Sequence, residues 1–234
     1  MRISLQPAFI LHQRPYRETS VLLEVFSKDY GRLSVVAKGV RQPRSRLKSL
    51  LQPFSPLLLS WQGKSELMTL SAAEPNGTPF YLRKDCLVSG FYLNELLIRL
   101  LYKYDPHPKI YTVYQQTLIE LASGELKEST LRLFEKKLLE EIGYGLGLEY
   151  SSKDQPIVDN KSYQYHPEHG FIAMNETSHE HFIFSGKSIL ALANEKLDNA
   201  ECLKEIKRLM RIVLTPLLGE KPLQSRKLFF EVES

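Results

Sequence analysis

The sequence predicts an α+β protein: a five-stranded OB-fold barrel over residues 1–80, then an α-helical bundle domain over 81–234 with a small β insertion. Three observations carry this reading. The first third is a series of short runs rich in β-branched and aromatic residues, cut by turn residues. Beyond Pro75-Asn76-Gly77 the apolar spacing becomes that of a helix. A small closed barrel also leaves no open edge, which suits five short strands in about 70 residues. Five strands with a basic face describe an OB-fold, and periodicity alone fits an SH3-like barrel as well.

The expected strands are residues 8–11, ended by Arg14-Pro15; 21–26, VLLEVF; 33–37, entered through Tyr30-Gly31; 54–61; and 67–72. A helix follows over 85–104, with Asp85 as its N-cap and Leu93, Leu96, Leu97, Leu100, Leu101 and Tyr104 on one side. Pro106 and Pro108 stop it. A second helix spans 109–122. A third begins after Ser129, with Leu131, Phe134, Leu138, Leu139 and Ile142 on its buried stripe, and Gly143, Gly145 and Gly147 end it. A short helix covers 186–194. A longer one covers 198–214, with Asp198 and Glu201 spaced as a capping box. The polar segment 150–185 fits neither part; YQYHPEHGFIA suggests a hairpin around Glu168-His169-Gly170.

The 234 residues carry a net charge of +4. It is unevenly placed: residues 1–80 hold 11 Lys and Arg against 5 Asp and Glu, a net of +6, and the remainder has a net of −2. From residue 30 to 65 there are seven basic residues and no acid, and such asymmetry points to a polyanionic partner. No secretory signal pattern opens the chain and no run of 18 apolar residues occurs, so no membrane association and a cytoplasmic location are expected. Cys86 and Cys202 are far apart and read as buried thiols.

Enzymatic motifs fail one by one. Gly-Lys-Ser occurs at 63–65 and 186–188, but a phosphate-binding loop needs glycine five residues earlier, where Leu58 and His181 stand. His179-Glu180-His181 lacks the second histidine of a zinc-protease helix, since that position is Ile183. His166, His169, His179 and His181 are close in sequence, but the segment has no cysteine, and solvated histidines are a better reading than zinc. No nucleophile elbow exists. A binding protein without cofactor or metal is expected, not an enzyme.

The binding element is KGVRQPRSRLK (38–48), read as a loop that cannot be a helix because Gly39 and Pro43 interrupt it. Lys38, Arg41, Arg44, Arg46 and Lys48 suit phosphates, and Arg14, Arg17 and Arg32 widen the patch. Stacking of bases on aromatics is the usual complement. Phe9, Phe26, Tyr30 and Phe54 read as core; Tyr16, in RPYRE, is the best candidate, and Trp61 a weaker one. On the last long helix Lys204, Arg208 and Arg211 share a face, and Arg132, Lys136 and Lys137 lie on the third helix. Either face is balanced by acids and reads first as solvated. An acidic peptide tail would be the ligand if one of them has a function.

AFILHQRPYRETS (8–20), GRLSVVAKGVR (31–41), LQPFSPLLL (51–59), GFYLNELLIRLL (90–101), LRLFEKKLLEEIGYG (131–145), GFIA (170–173) and LLGEKPLQSRKLF (217–229), in this order and spacing, resemble the bacterial RecO family of recombination mediators over nearly the whole chain. The resemblance implies an OB-fold followed by a helical domain. It implies binding of single- and double-stranded DNA and annealing of complementary strands. With RecR, such proteins help load RecA onto DNA coated by single-strand-binding protein (SSB), whose acidic tail binds the helical domain. Some members carry a four-cysteine zinc module; here the matching segment, 150–185, has no cysteine, which places the chain with the zinc-free members. Three other readings follow: a general OB-fold protein for single-stranded RNA, since the 2′-hydroxyl distinction is invisible in sequence; a protein-interaction scaffold; and last a metal-dependent nuclease, for which the sequence shows no acidic cluster of metal-ligand character.

Overall fold

The structure, a computed structural model, describes residues 2–64, 66–174 and 182–225. They form two compact units, 2–126 with 222–225, and Lys127–Lys221. Secondary structure changes from strand to helix between residues 75 and 84. Compactness divides the chain later, because two helices pack onto the barrel.

In the first unit the strands are β1 (Arg2–Tyr16), β2 (Ser20–Ser27) and β3 (Gly31–Ala37). A short helix α1 (Leu47–Leu50) follows, then β4 (Leu57–Gln62) and β5 (Leu67–Pro75). The barrel closes in the order β1-β2-β3-β5-β4, with β3 and β5 parallel and the other pairs antiparallel, an OB-fold. Alternate residues fill the interior: Ala8 and Ile10, Val21, Leu23 and Val25, Leu33, Val35 and Ala37, Leu57, Leu59 and Trp61, and Met68.

β1 is 15 residues, far longer than the expected 8–11. Two register shifts, at Ile3/Gln6 and Ile10/His12, bend it so that its first half pairs with β4 and its second with β2. Pro7 and Pro15 lie within it.

The run VLLEVF does not alternate because β2 is buried on both faces. Its outer face, with that of β1, meets α2 (Lys84–Leu100) and α3 (Pro108–Ala122). The Phe9 ring lies 5.4 Å from Tyr111 and 5.2 Å from Tyr114, and Phe26 lies 5.5 Å from Tyr111. Buried Asn94 of α2 donates to the Leu11 carbonyl (2.8 Å), and Tyr114 Oη donates to Asn94 Oδ1 (2.5 Å). Burial pushes the Tyr114 phenol well up, so it remains a donor. α2 starts one residue before Asp85, which is a first-turn residue and not the cap, and it ends at Leu100 because Leu101 is extended.

The second unit holds α4 (Glu128–Glu141), a sheet of β6 (Ser162–His166), β7 (Gly170–Ala173) and β8 (Ile183–Ser185), then α5 (Gly186–Ala193) and α6 (Ala200–Leu218). The expected hairpin is β6–β7, and β8 extends it to three strands in the order β7-β6-β8. Asn199, not Asp198, caps α6: its side chain accepts from the Glu201 and Cys202 N–H groups. Both cysteines are buried and free. No helix among the described residues is long and apolar enough to cross a membrane.

Candidate nucleic-acid interface

The 38–48 loop is better ordered than its composition suggests. Gly39 takes the left-handed conformation (φ +71°) that opens it, and the Gln42 and Ser45 N–H groups close successive turns onto the Gly39 and Gln42 carbonyls. Its last part is α1, which corrects the expectation of a helix-free loop; Pro43 and Gly39 precede that turn and do not prevent it. Val40 and Leu51 are in the barrel core, and Leu47 and Leu50 pack against it. Four apolar side chains thus fix the backbone from below, while Lys38, Arg41, Arg44, Arg46 and Lys48 are all exposed.

Pairing of β1 with β2 carries the 16–20 turn alongside this loop. The Arg41 N–H donates to the Thr19 carbonyl (2.9 Å), and Arg41 Nη1 donates to the Arg17 carbonyl (3.2 Å). Arg17 lies over the half-buried Tyr16 ring at 5.3 Å, a cation–π contact. Arg14 is exposed on β1 opposite Leu22. Tyr16, Arg17 and the loop therefore share one surface.

Arg32 does not share it. Its Nη1 pairs with Glu24 (2.9 Å) and its Nε donates to the Leu101 carbonyl (3.0 Å). The β2–β3 register sets Glu24 opposite Ser34, one diagonal step from Arg32, and Ser34 Oγ donates to the same carboxylate (2.7 Å). Trp61 is likewise unavailable for stacking: it is 1% exposed, inside the barrel, with Tyr30 edge-on at 5.5 Å.

Two cations outside the predicted set join Lys38. Arg2 pairs with Gln62 across β1–β4, and Gln62 with Thr69 across β4–β5. With Lys38, Gly63 and Lys64 these residues line an open concavity of about 500 Å³. None of Arg2, Lys38, Arg41, Arg44, Arg46, Lys48 or Lys64 forms an ion pair with a described residue. Arg2 is invisible to a local charge count because the strand pairing, not the sequence, brings it there. Lys64 lies within the acid-free window and is legible from it.

Of the six basic residues singled out in the second unit, four are committed. Arg132 pairs with the fully buried Glu135 (2.7 Å). Lys136 is buried between Glu195 (3.2 Å), Glu140 (3.8 Å) and the Ala193 carbonyl. Lys137 also reaches Glu195 (3.1 Å). Arg208 stacks on Phe184 at 4.7 Å and donates to the Ile183 carbonyl. Lys204 and Arg211 remain exposed on α6. His166 and His169 are at the β6–β7 turn, and His179 and His181 lie outside the described residues. No group of three potential metal ligands occurs among the described residues.

The chain matches the family model "Recombination protein O N terminal" over residues 1–78 and "Recombination protein O C terminal" over 85–227. Similar curated proteins carry the name DNA repair protein RecO. That of Coxiella burnetii is 49% identical over 230 residues, 98% of this chain and 99% of the relative. That of Photobacterium profundum is 46% identical over 226 residues, 96% and 95% of the two chains. That of Haemophilus influenzae is 44% identical over 230 residues, 98% and 97%.

Proposed function

The chain belongs to the RecO family, with a role in DNA repair and recombination, and from that premise we propose that it is a recombination mediator which binds DNA through its barrel. It binds single and double strands, anneals complementary ones, and with RecR loads RecA onto SSB-coated single strands. The observation that carries this reading is the set of exposed cations on a fixed backbone, Lys38, Arg41, Arg44, Arg46 and Lys48, beside Tyr16 and Arg17 and the Arg2–Lys38–Lys64 concavity.

The mechanism is electrostatic. Each cation that reaches a phosphate releases counterions, so two strands held on one surface lose much of their mutual repulsion. Base pairing then selects the partner strand. Pre-fixing the loop lowers the ordering cost of binding. The acidic tail of SSB goes to the helical part, where Lys204 and Arg211 are the exposed members of the predicted set. Neither the tail nor DNA needs a catalytic group.

Fluorescence anisotropy with labelled single-stranded DNA across a salt series tests the loop. Five phosphate contacts give a log-log slope of about −3.5. Arg41, Arg44 and Arg46 reversed together to Glu are expected to weaken binding about a hundredfold or more at low salt and to flatten the slope by about 2. Unchanged affinity in that variant would falsify the loop's role.

A further inference from the structure

The connection between α2 and α3 carries the sequence Leu101-Tyr102-Lys103-Tyr104-Asp105, and it is bound to the barrel. Lys103 forms a parallel bridge with Arg32 of β3. The Tyr104 N–H donates to the Arg32 carbonyl (2.8 Å), and Arg32 Nε returns a bond to the Leu101 carbonyl (3.0 Å). Lys103 Nζ donates to Ser34 Oγ (2.8 Å), and Tyr104 Oη donates to the Glu66 carbonyl at the foot of β5. Gly31 (φ +65°) lets the segment approach, since a Cβ there would lie 2.0 Å from the Asp105 carbonyl oxygen. The backbone on both sides of Tyr102 is therefore held in place, yet Tyr102 is 80% exposed, the highest value among the exposed large apolar side chains described. An aromatic ring in water on a fixed backbone is a costly arrangement for a soluble surface and a suitable one for stacking.

We propose that Tyr102 is a base-stacking station for single-stranded DNA, on the same compact unit as the cationic concavity of the barrel. This rests on the DNA-binding reading above. Glu66, at the Tyr104 contact, is three residues from Thr69, which lines that concavity, about 10 Å along β5. Lys64, which also lines the concavity, is two residues before Glu66 in sequence. Charge tells which part of the strand lies where. Asp105 and Glu66 are exposed near the tyrosines, which disfavours phosphates there, whereas Arg2, Lys38 and Lys64 attract them. A single strand that sets its phosphates on the cations can turn an unpaired base toward Tyr102. A duplex keeps its bases stacked inside and offers none.

Tyr102→Ala and Tyr102→Trp in the full chain test this, with anisotropy against single-stranded and duplex DNA and a thermal melt of each variant. The expected result is a 5- to 150-fold loss of single-strand affinity in Tyr102→Ala, roughly the range for one stacked base. Duplex affinity and melting temperature stay unchanged, and Tyr102→Trp binds at least as well, with its added indole fluorescence quenched by single strands. Equal losses on single strands and duplex would overturn stacking. Wild-type binding that Tyr102→Ala leaves intact overturns this inference alone, and wild-type protein that binds no DNA overturns the DNA-binding reading with it.

Discussion

Two groups of basic residues in this molecule differ in one respect, who neutralises them. On the barrel, Lys38, Arg41, Arg44, Arg46 and Lys48 stand on a backbone fixed by Val40, Leu47, Leu50 and Leu51, and none has an acidic partner among the described residues. In the helical unit Arg132, Lys136 and Lys137 are tied to Glu135, Glu140 and Glu195. The same residue type is therefore left open to a ligand in one place and built into the architecture in the other. Counting charge does not separate the two; locating the opposing carboxylate does.

The largest effect that separates them is at Glu135. Its carboxylate is fully buried against Arg132, whose side chain is 11% exposed. Glu135→Ala leaves an uncompensated guanidinium and is expected to cost about 3–5 kcal/mol of stability, read by denaturant unfolding. The paired replacement Arg132→Met with Glu135→Leu restores most of that loss, because the desolvation of both charges is removed together. If the single and double variants unfold alike, the pair is not the structural unit described. By contrast the Arg41, Arg44 and Arg46 reversal is expected to stay within about 0.5 kcal/mol of wild-type stability, as exposed substitutions do.

Arg32 sharpens the comparison from inside the barrel. It belongs to the acid-free window of the sequence, yet it is bonded to Glu24 and to the Leu101 carbonyl. Arg32→Met is expected to cost about 1.5–3 kcal/mol, the value of hydrogen bonds to a charged group, and to change DNA affinity less than twofold. A loss of affinity as large as that of a loop substitution would mean the ion pair opens on binding. Lys64→Ala is the converse test: melting unchanged, salt slope flatter by about 0.7, one phosphate contact.

The places where sequence reading succeeded and failed follow the same division. The barrel was legible because its interior has period two, and the α4 stripe because Leu131, Phe134, Leu138 and Leu139 recur at helical spacing. The length of β1 was not, since bulges and proline inside the strand disguise a continuous ladder as two fragments. The α6 cap is one residue from the expected one because Asp198 and Asn199 have equal capping chemistry and only geometry chooses. The α2 cap is two residues from Asp85, because that helix is entered at Arg83 with no side-chain cap bond, which no sequence signal marks. Arg2 comes to the concavity, and the segment that carries Tyr102 comes to the barrel, through pairings over 60 residues or more, Arg2 with Gln62 and Lys103 with Arg32, which no local window contains. Arg32 was recoverable: a hairpin drawn from residue 20 to 37 with its turn at Lys28–Tyr30 sets Glu24 diagonal to it.

The smallest effect concerns Glu195, the acid that Lys136 and Lys137 share. Burial alone would raise its carboxyl, but hydrogen bonds from Lys137 and Lys136, and their charges, outweigh that and hold it below its ordinary value of 4.5. A carboxyl lowered in the folded state binds its proton first in the unfolded one. Its contribution to stability is complete above about pH 4.5 and disappears as pH falls through the folded value. The side chain is 40% exposed, so solvent and salt limit the gain to no more than about 1 kcal/mol. Wild type is therefore expected to lose more stability than Glu195→Gln between pH 5 and pH 3, a difference that shrinks as salt is added. DNA binding by the barrel at neutral pH stays the same in both, because this carboxylate neutralises helix cations and none of the loop. Parallel pH curves for the two proteins would mean that neither Lys137 nor Lys136 stabilises the Glu195 carboxylate, and that Lys136 finds its compensation in Glu140 and the Ala193 carbonyl.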